Sequence, residues 1–269
     1  MNTESTDLKV HVHKGYVQNN FLIAYKDKIL LTDGACRTDV DKIAEFIKVE
    51  LGRDIQDLKL IVVTHSHPDH AGAAYLLRKK FNIPIAAFHS IDLWYSGIGG
   101  AMQQISDILQ MQFMATQVNR KLSLKSQKYK RILKADFHLT DQSSLPFFDD
   151  WQVIYAPGHT SHNILLYNKE NGLLYIADTM INIKGKFFPP VPVLFPEAMK
   201  KTLLKIKELN PKSILCAHSD PPIIEFKDEM ADRVIKRIDI EDSAYIKFFY
   251  NLSKFTPEYR KNRENRKKA

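Results

Sequence analysis

Three histidines and one aspartate lie within six consecutive positions, directly after a run rich in β-branched residues. The stretch reads VVTHSHPDHAGAA, and its four candidate metal ligands are His65, His67, Asp69 and His70. Side chains two positions apart in an extended chain point the same way, so His65 and His67 could chelate one metal ion. Asp69 and His70 follow Pro68, where the chain is expected to turn into a helix, and could face a second ion. Imidazole and carboxylate ligands together favour zinc, with iron or manganese as alternatives.

Three later stretches each place a polar residue directly after an apolar run. They are YAPGHTSHN, LLYIADTM and ILCAHSD, which carry His159, Asp178 and His218. A buried polar side chain at a strand end needs a partner, and a metal ion would supply one. Each residue alone is better explained as an ordinary core or turn position that protein hydrogen bonds satisfy. Taken together with the first cluster, the set predicts a metal centre.

Apolar runs and helical periodicity alternate along the chain in two similar halves. The predicted strands are FLIAY, KILLTDGA, LKLIVV and IPIAAF in the first half, and FHLTD, WQVIYAP, NILLY, LLYIAD and SILCAH in the second. Helices are predicted after KILLTDGA, from about Asp69 onward, and over EAMKKTLLKIKEL. This order predicts an α/β fold of two mixed sheets facing each other with helices outside. We expect a single domain over residues 1–269, with a helical insert at about 91–134 and a helical, basic C-terminal extension at about 222–269.

The composition indicates a chain that can bury a large core, since 44% of its 269 residues are hydrophobic. The polar N-terminus predicts no secretory signal, and no run is long and apolar enough to span a membrane. Two cysteines, Cys36 and Cys216, exclude a disulfide framework. Cys216 is expected to be a small buried residue rather than a metal ligand. We therefore expect a cytoplasmic location.

The net charge of +8 is unevenly distributed. Residues 119–135 contain seven Lys or Arg and no acid, and the chain ends in YRKNRENRKKA. Such segments can attract phosphates or an anionic membrane, and they are also typical of solvated loops and tails. Tyr129 is the one aromatic residue between positions 119 and 134, so the pattern of interleaved aromatics that binds nucleic acid is weak here.

The motifs THSHPDHAG, PGHT, ADT and AHSD, in this order, resemble those of the metallo-β-lactamase superfamily of hydrolases. The resemblance extends over most of residues 9–220 and implies a four-layer αββα sandwich. It implies a first metal ion held by His65, His67 and His159. It implies a second ion held by Asp69, His70 and His218, with Asp178 bridging the two. In LLTDGA, Asp33 resembles an early strand-end aspartate of the family and is expected to be structural or to support the ligands.

Some residues differ from the family motifs, and others distinguish between its subfamilies. Ala177 stands where a glycine usually precedes the bridging aspartate, and His162 stands where many relatives have a small residue. The presence of Asp178 and the absence of a signal peptide argue against a true β-lactamase. His67 argues against the flavin-partnered diiron reductases, which have a glutamate there. The remaining branches resemble glyoxalase II-type thioesterases, lactonases, phosphodiesterases and tRNA-processing nucleases.

The resemblance implies a dinuclear, metal-dependent hydrolase that acts on a small molecule. Two cations lower the pKa of a bound water to about 7, which supplies hydroxide at neutral pH. Asp69 is the expected catalytic residue, because a ligand that also contacts this water can orient it and carry its proton. A small carboxyl ester, thioester or lactone is the favoured substrate. A phosphodiester or nucleic acid is the alternative, and a metal-binding protein without turnover is the third reading.

The predicted insert combines glycines with a wide apolar surface. It opens with Gly97, Gly99 and Gly100, and apolar residues then recur at helical spacing, among them Met102, Ile105, Leu109 and Phe113. Methionine-rich surfaces adapt to varied shapes, so a lid over the site that binds an apolar part of the substrate is one interpretation. Permanent packing on the sandwich, or against a second subunit in a homodimer, is the other.

Overall fold

The computed structural model describes residues 8–117, 120, 124–238, 247–248, 251, 254, 256–257 and 259–260. The first sheet contains β1 (Lys9–Lys14), β2 (Asn19–Ala24), β3 (Ile29–Leu31), β4 (Leu58–Val63), β5 (Ile85–Phe88) and β6 (Phe137–Leu139), in that order. Strand β2 is antiparallel to both β1 and β3, whereas β3, β4, β5 and β6 are parallel to one another. The parallel strands therefore end at one common edge of the sheet.

The second sheet faces the first and has the order β14-β13-β10-β9-β8-β7. Its strands are β7 (Ser144–Leu145), β8 (Phe148–Tyr155), β9 (Ile164–Asn168), β10 (Leu173–Tyr175), β13 (Ser213–Leu215) and β14 (Ile223–Glu225). A separate hairpin pairs β11 (Ile181–Ile183) with β12 (Lys186–Phe188). Strands β8 and β10 are both antiparallel to β9, and β13 is parallel to β10. Strands β8, β10 and β13 therefore run in the same direction and end at the same edge.

Helices cover the outer faces of the two sheets. They are α1 (Val40–Val49), α2 (Pro68–Ala71), α3 (Ala74–Phe81), α4 (Ile91–Trp94), α5 (Gly97–Gln117), α6 (Leu124–Gln127), α7 (Pro196–Leu209) and α8 (Asp228–Ile238). Single 3-10 turns occur at Arg37–Asp39 and Ile55–Asp57. None of the helices in the described part of the chain is both long and apolar enough to cross a bilayer.

Three apolar cores separate the four layers. The middle core lies between the sheets and includes Phe21, Leu60, Val62, Trp151 and Leu166. Helices α1 and α3 pack on the first sheet through a second core, and α7 and α8 pack on the second sheet through a third. Because side chains alternate across a strand, each sheet supplies one row to the middle core and one row to its helices. This arrangement confirms the predicted αββα sandwich.

Local patterns explain the elements that carry the site. Strand β4 is β-branched and buried over most of its length, as expected for a parallel strand covered on both faces. On α7, Met199, Leu203 and Ile206 recur at helical spacing and are all buried. Asn210 ends this helix in the left-handed conformation, and Pro211 follows it.

Two predicted elements were placed wrongly by the sequence pattern. FHLTD was assigned to the second half, but β6 pairs with β5 in the first sheet, with Ala86 opposite Phe137. The C-terminal extension from about residue 222 was expected to be helical throughout, but residues 223–225 form edge strand β14 and α8 begins only at Asp228. Both segments are short, and long-range pairing with a neighbouring strand decides their structure rather than local periodicity.

The helix predicted from about Asp69 onward is interrupted between α2 and α3. The amide of Ala73 donates to the carbonyl oxygens of Gly34 and Ala35, both at 3.0 Å, instead of continuing the helical ladder. Gly72 allows this close approach, because a Cβ there would lie 2.6 Å from the backbone nitrogen of Arg37. The short α2 is therefore anchored to the loop that follows β3.

Helix α5 of the predicted insert buries several polar side chains against the protein, together with Ile108, Met111 and Ala115, and exposes several large apolar ones. Its inward residues include Gln103, Gln104, Ser106 and Asp107, all buried. Its exposed residues include Ile98, Met102, Ile105, Leu109, Phe113 and Met114. The apolar surface that suggested a lid over the substrate thus faces away from the protein. Gly100 is packed against the backbone of Tyr95, which a Cβ would reach within 2.5 Å, so this glycine serves close packing.

We predict that Gly34→Ala strongly destabilises the protein. Its amide donates to the carbonyl oxygen of His70 at 2.7 Å. A Cβ at this position would lie 2.5 Å from that same oxygen and 3.0 Å from side-chain atoms of Val63 and Ala74. Overpacking of this kind costs roughly 1–3 kcal/mol of unfolding free energy, measurable by urea denaturation.

Gly97→Ala is the matched control, because a Cβ there meets nothing within 4 Å. Its φ of 63° lies in the left-handed region, so this change should cost about 1 kcal/mol from backbone strain alone. A Gly34→Ala cost no larger than that of Gly97→Ala would contradict the packing argument.

Candidate metal centre

All seven candidate ligands lie where strands of the two sheets end at their common edge. His65 follows β4 after one intervening residue. His67 precedes α2 with extended backbone angles, φ −60° and ψ 155°, and Pro68 opens the helix. Asp69 and His70 then lie within α2. This strand-turn-helix geometry directs the side chains of one short segment into one place.

The second sheet brings the other three candidate ligands to the same place. His159 lies in the loop after β8, Asp178 after β10 and His218 after β13. Ala177 adopts a φ of 43°, in the left-handed region that favours glycine. This explains why a glycine would be usual here, and it turns the chain so that Asp178 faces the site.

The first group of donors contains three histidines and one aspartate. Donor atoms of His65, His67, His159 and Asp178 all lie within 4.8 Å of one another. Nδ1 of His67 lies 2.8 Å from Nε2 of His159. Oδ2 of Asp178 lies 3.9 Å from Nε2 of His65 and 3.6 Å from Nε2 of His159. This spacing is that of a site able to hold one cation.

The second group lies beside the first and contains Asp69, His70 and His218. Nε2 of His218 is 3.3 Å from Oδ2 of Asp69, and Nε2 of His70 is 3.6 Å from the same oxygen. Oδ1 of Asp178 lies 3.1 Å from Nε2 of His70 and 3.2 Å from Nε2 of His218. Asp178 therefore turns one carboxylate oxygen to each group.

Three of the histidines have their outward ring nitrogen against a hydrogen-bond acceptor. Nδ1 of His159 donates to the carbonyl oxygen of Pro192 at 2.8 Å. Nδ1 of His70 lies 2.6 Å from Oδ2 of Asp33. Nδ1 of His65 lies 3.1 Å from Oγ1 of Thr64. A proton held on Nδ1 leaves Nε2 of the neutral rings of His65 and His159 unprotonated and facing the site.

Asp33 holds the segment that carries His65 to His70 in place through hydrogen bonds. Its carboxylate accepts hydrogen bonds from the amide and the hydroxyl of Thr64, at 3.1 and 2.7 Å, and from the hydroxyl of Tyr175 at 2.9 Å. The hydroxyl of Thr64 donates to Asp33, so its oxygen can accept a hydrogen bond from Nδ1–H of His65. Asp33 thus contacts His70 directly and supports His65 through Thr64, in line with its expected supporting role.

The histidines of the first group are neutral near pH 7. Burial lowers the pKa of His65 well below its usual value, and the neighbouring His70 and His67 lower it further. Burial lowers the pKa of His67 to about 4. Burial, together with the adjacent His67, lowers the pKa of His159 to about 4. Neutral imidazole is the form that binds a metal ion.

The second group has the opposite charge state. Burial alone would lower the pKa values of His70 and His218, but the neighbouring carboxylates raise the former well above its usual value and the latter to about 10. Burial alone would raise the pKa values of Asp69 and Asp178, but His70 and His218 lower both. Without a metal ion, the two histidines are imidazolium ions paired with carboxylates.

Three of the donor atoms that face the centre lack good hydrogen bonds, whereas Nδ1 of His67 and Nε2 of His159 lie within hydrogen-bond distance of each other. Nε2 of His65, Nε2 of His70 and Oδ1 of Asp178 are fully buried, and none makes a hydrogen bond of acceptable geometry to the described residues. Buried polar atoms without partners are rare and costly. The residues present therefore fit two cations, which would satisfy these atoms.

A polar cluster that the sequence pattern did not predict lies beside the first group. Oδ2 of Asp107 is 3.7 Å from Nε2 of His67, and burial raises the pKa of Asp107 to about 7. Tyr95 donates a hydrogen bond to Asp107, and Tyr129 donates one to the backbone of Ser66. One signal was present in the sequence: Asp107 is the sole charged residue of the segment that forms α5.

His162 lies close to the ligand loop but outside both groups of donors. It is buried, and its Nε2 accepts a hydrogen bond from the amide of Ser66 at 3.1 Å. Burial lowers the pKa of His162 to about 3, so the ring is neutral. Its contacts with the amide and hydroxyl of Ser66, which lies between His65 and His67 in the sequence, indicate support of the loop.

Cys216 and several histidine and lysine residues belong to neither group of donors. Cys216 is buried in the core between the second sheet and α7, as expected for a small buried residue. His11 and His13 lie on edge strand β1 and are partly exposed. Lys184 and Lys186 are exposed at the β11–β12 hairpin. The basic tail from residue 261 onward lies outside the described residues.

Comparison with known proteins agrees with this geometry. The sequence profile of the metallo-beta-lactamase superfamily matches residues 13–218. The probable metallo-hydrolase YflN of Bacillus subtilis is 25% identical over 207 residues, which cover 71% of this chain and 75% of that protein. The probable metallo-hydrolase MJ0888 of Methanocaldococcus jannaschii is 39% identical over 71 residues, 26% of this chain and 32% of that protein.

Solved structures share the fold at lower identity. A metallo-beta-lactamase family protein of Thermus thermophilus, TTHA1429, superposes with a TM-score of 0.65 at 16% identity, covering 96% of this chain and 94% of that one. TTHA1623, solved in a di-iron-bound form, superposes with a TM-score of 0.57 at 16% identity. The match covers 84% of this chain and 98% of TTHA1623. The matched sequence relatives are described as metallo-hydrolases rather than β-lactamases, as predicted. The chain belongs to the metallo-beta-lactamase superfamily and is a metal-dependent hydrolase.

Proposed function

We propose that this hydrolase works with two divalent cations. His65, His67 and His159 would hold the first ion, Asp69, His70 and His218 the second, with Asp178 shared between them. The observation that supports this most directly is that Asp178 turns Oδ2 to the first group and Oδ1 to the second, each at 3.1–3.9 Å. A purely structural carboxylate would be expected to end in hydrogen bonds, whereas Oδ1 is buried and lacks one of good geometry among the described residues.

The donor set suits zinc best, with iron or manganese as alternatives. It consists of imidazole nitrogens and carboxylate oxygens, and neither group contains a cysteine. Two such cations, when bound, activate a water molecule near neutral pH and polarise the bond to be cleaved. One neighbour in fold, TTHA1623, was solved with two irons, which keeps iron among the candidates.

Asp69 is the residue that we propose for proton transfer. Its carboxylate lies at the rim of the second group, next to His218, which is about one-fifth exposed. Asp69 and His218 both keep part of their side-chain surface exposed to solvent. From this place the carboxylate can orient the attacking water and accept its proton, then return the proton to the leaving group.

We propose a small carboxyl ester, thioester or lactone as the substrate. The alternative, a phosphodiester or nucleic acid, rested on the basic segment at residues 119–135. Arg120 donates to the backbone oxygens of Gly15 and Tyr16, and Arg131 donates to those of Tyr95 and Gly97. These two guanidinium groups tie the segment to the protein, which weakens the case that they recognise phosphates.

We predict that the purified protein carries about two transition-metal ions per chain. Elemental analysis after expression, or after reconstitution with zinc, measures this stoichiometry. Asp178→Ala should lower the content below two and abolish hydrolysis, because both groups lose a donor. His89→Ala is a matched control, since this exposed histidine belongs to neither group. A protein that stays free of metal after reconstitution would contradict the dinuclear proposal.

We predict that a panel of model substrates separates the proposed classes. Esters, thioesters or lactones should be cleaved with higher kcat/KM than phosphodiesters by the metal-loaded protein. Asp69→Asn should lower kcat by roughly 100-fold or more, because the proton acceptor is lost. Faster turnover of phosphodiesters than of carboxyl substrates would contradict the substrate class while leaving the metal centre intact.

We predict that the two groups differ in how their metal affinity depends on pH. The pKa values of about 4 for His67 and His159 leave these ligands neutral above pH 5, so loading of the first group should be nearly independent of pH from 6 to 8. The pKa values of His70 and His218 are raised, the latter to about 10, so the second ion must displace protons.

The metal affinity of the second group should therefore fall about tenfold for each unit by which the pH is lowered, for each proton released on binding. Calorimetric titration with zinc in buffers of different ionisation heat counts these protons. Loading of both ions without proton release at pH 7 would contradict the charge states described for the metal-free protein.

A further inference from the structure

Asp107 stands out on helix α5 by its charge and its burial. It is the one charged side chain among the 21 residues of the helix. Nevertheless, it is 95% buried and lies on the side that faces the metal centre. Burial of a carboxylate is costly unless charged or polar groups compensate for the lost water. A residue kept only for packing would not be expected to be an aspartate.

Neutral donors hold this carboxylate in place. The hydroxyl of Tyr95 donates to Oδ2 at 2.8 Å, and Nε2 of Gln103 donates to Oδ1 at 2.8 Å. The hydroxyl oxygen of Tyr129 lies 3.1 Å from that of Tyr95 and donates to the carbonyl oxygen of Ser66 at 2.6 Å. This hydrogen-bonded cluster therefore connects the insert to the backbone between His65 and His67.

Asp107 also lies close to the ring of His67. Oδ2 of Asp107 lies 3.7 Å from Nε2 of His67, on the side of the ring away from the first group. His67 differs from its neighbours in orientation. His65, His70 and His159 face the centre with Nε2, whereas His67 faces it with Nδ1, 2.8 Å from Nε2 of His159.

The outward nitrogens of those three neighbours each meet an acceptor: Thr64, Asp33 and Pro192. For His67, the outward nitrogen is Nε2, and the acceptor that faces it is Asp107. The distance exceeds that of a direct hydrogen bond, so the contact is electrostatic and requires the ionised form of Asp107, which a cation at the first group would favour.

We propose that Asp107 is a positioning residue for the first metal group. Its carboxylate keeps the ring proton of His67 on Nε2, so that Nδ1 presents its lone pair to the metal ion. The helical insert thereby supplies an acceptor for the outward nitrogen of His67, as the sandwich does for the outward nitrogens of His65, His70 and His159. This inference rests on the proposed metal centre and goes beyond it, because it assigns a role to a residue outside both donor groups.

The experiment compares Asp107→Ala and Asp107→Asn with Ser106→Ala. Ser106 is the neighbouring buried polar residue of α5, and its hydroxyl accepts a hydrogen bond from Gln110 at 3.1 Å. It serves as the matched control for disturbance of the helix. Thermal melting shows which variants are folded, and if the alanine variant is not, the nearly isosteric Asp107→Asn decides.

Two readouts independent of activity are used. Competition with a zinc chelator should show affinity at the first group reduced by roughly 10–100-fold in the Asp107 variants and unchanged in Ser106→Ala. In cobalt(II)-substituted protein, proton NMR should show the exchangeable Nε2–H signal of His67 in the wild type and in Ser106→Ala. This signal should be lost or broadened in the Asp107 variants.

Affinity and NMR signals of a folded Asp107 variant that match the wild type would overturn the proposal. An equal loss in Ser106→Ala would also overturn it, because the effect would then come from the helix and not from the carboxylate. A wild-type protein that binds neither zinc nor cobalt would instead contradict the metal centre itself, so the two failures are distinguishable.

Discussion

The burial of so many ionisable side chains at one sheet edge is the constraint on which the rest of this structure depends. Each buried charge or unsatisfied polar atom costs several kcal/mol of folding free energy. Every polar group around the centre therefore needs a partner. Asp33, Thr64 and the carbonyl of Pro192 meet the outward nitrogens of three histidines. The inward atoms remain, among them Nε2 of His65 and Oδ1 of Asp178. These unsatisfied atoms make the case for two cations, because a positive ion is the partner that all of them can share.

The same cluster has a neutral half and an ion-paired half, and the position of the carboxylates explains this difference. Asp33 and Asp69 lie next to His70, and Asp69 also contacts His218. The first group has only the shared Asp178 among its donors. Burial therefore dominates the pKa values of the first group, and the neighbouring carboxylates dominate those of the second. The two ions would thus bind a few ångström apart, the first without displacing protons and the second by displacing them.

The sequence could predict the ligands and the layers because both depend on local patterns. HSHPDH at a strand end, followed by polar residues after later apolar runs, marks the seven candidate donors, and the structure brings all of them together. Alternating β and α segments likewise predict the sandwich. Sheet membership of β6 and the orientation of α5 could not be predicted in this way. Strand β6 is placed by pairing across about 50 residues. Helix α5 buries polar residues such as Asp107 because that part of it lies beside the metal centre, while Ile108 and Met111 pack in apolar cores. Asp107 escaped notice for the same reason, since its partner His67 is 40 positions away.

The most direct test of the account is a crystal structure of the zinc-reconstituted protein with anomalous diffraction measured on both sides of the zinc absorption edge. The account predicts two anomalous peaks per chain. One should lie among His65, His67 and His159, and the other among Asp69, His70 and His218, with the Asp178 carboxylate between them. A single peak, a peak outside these two groups, or no peak at all at full zinc loading would contradict it.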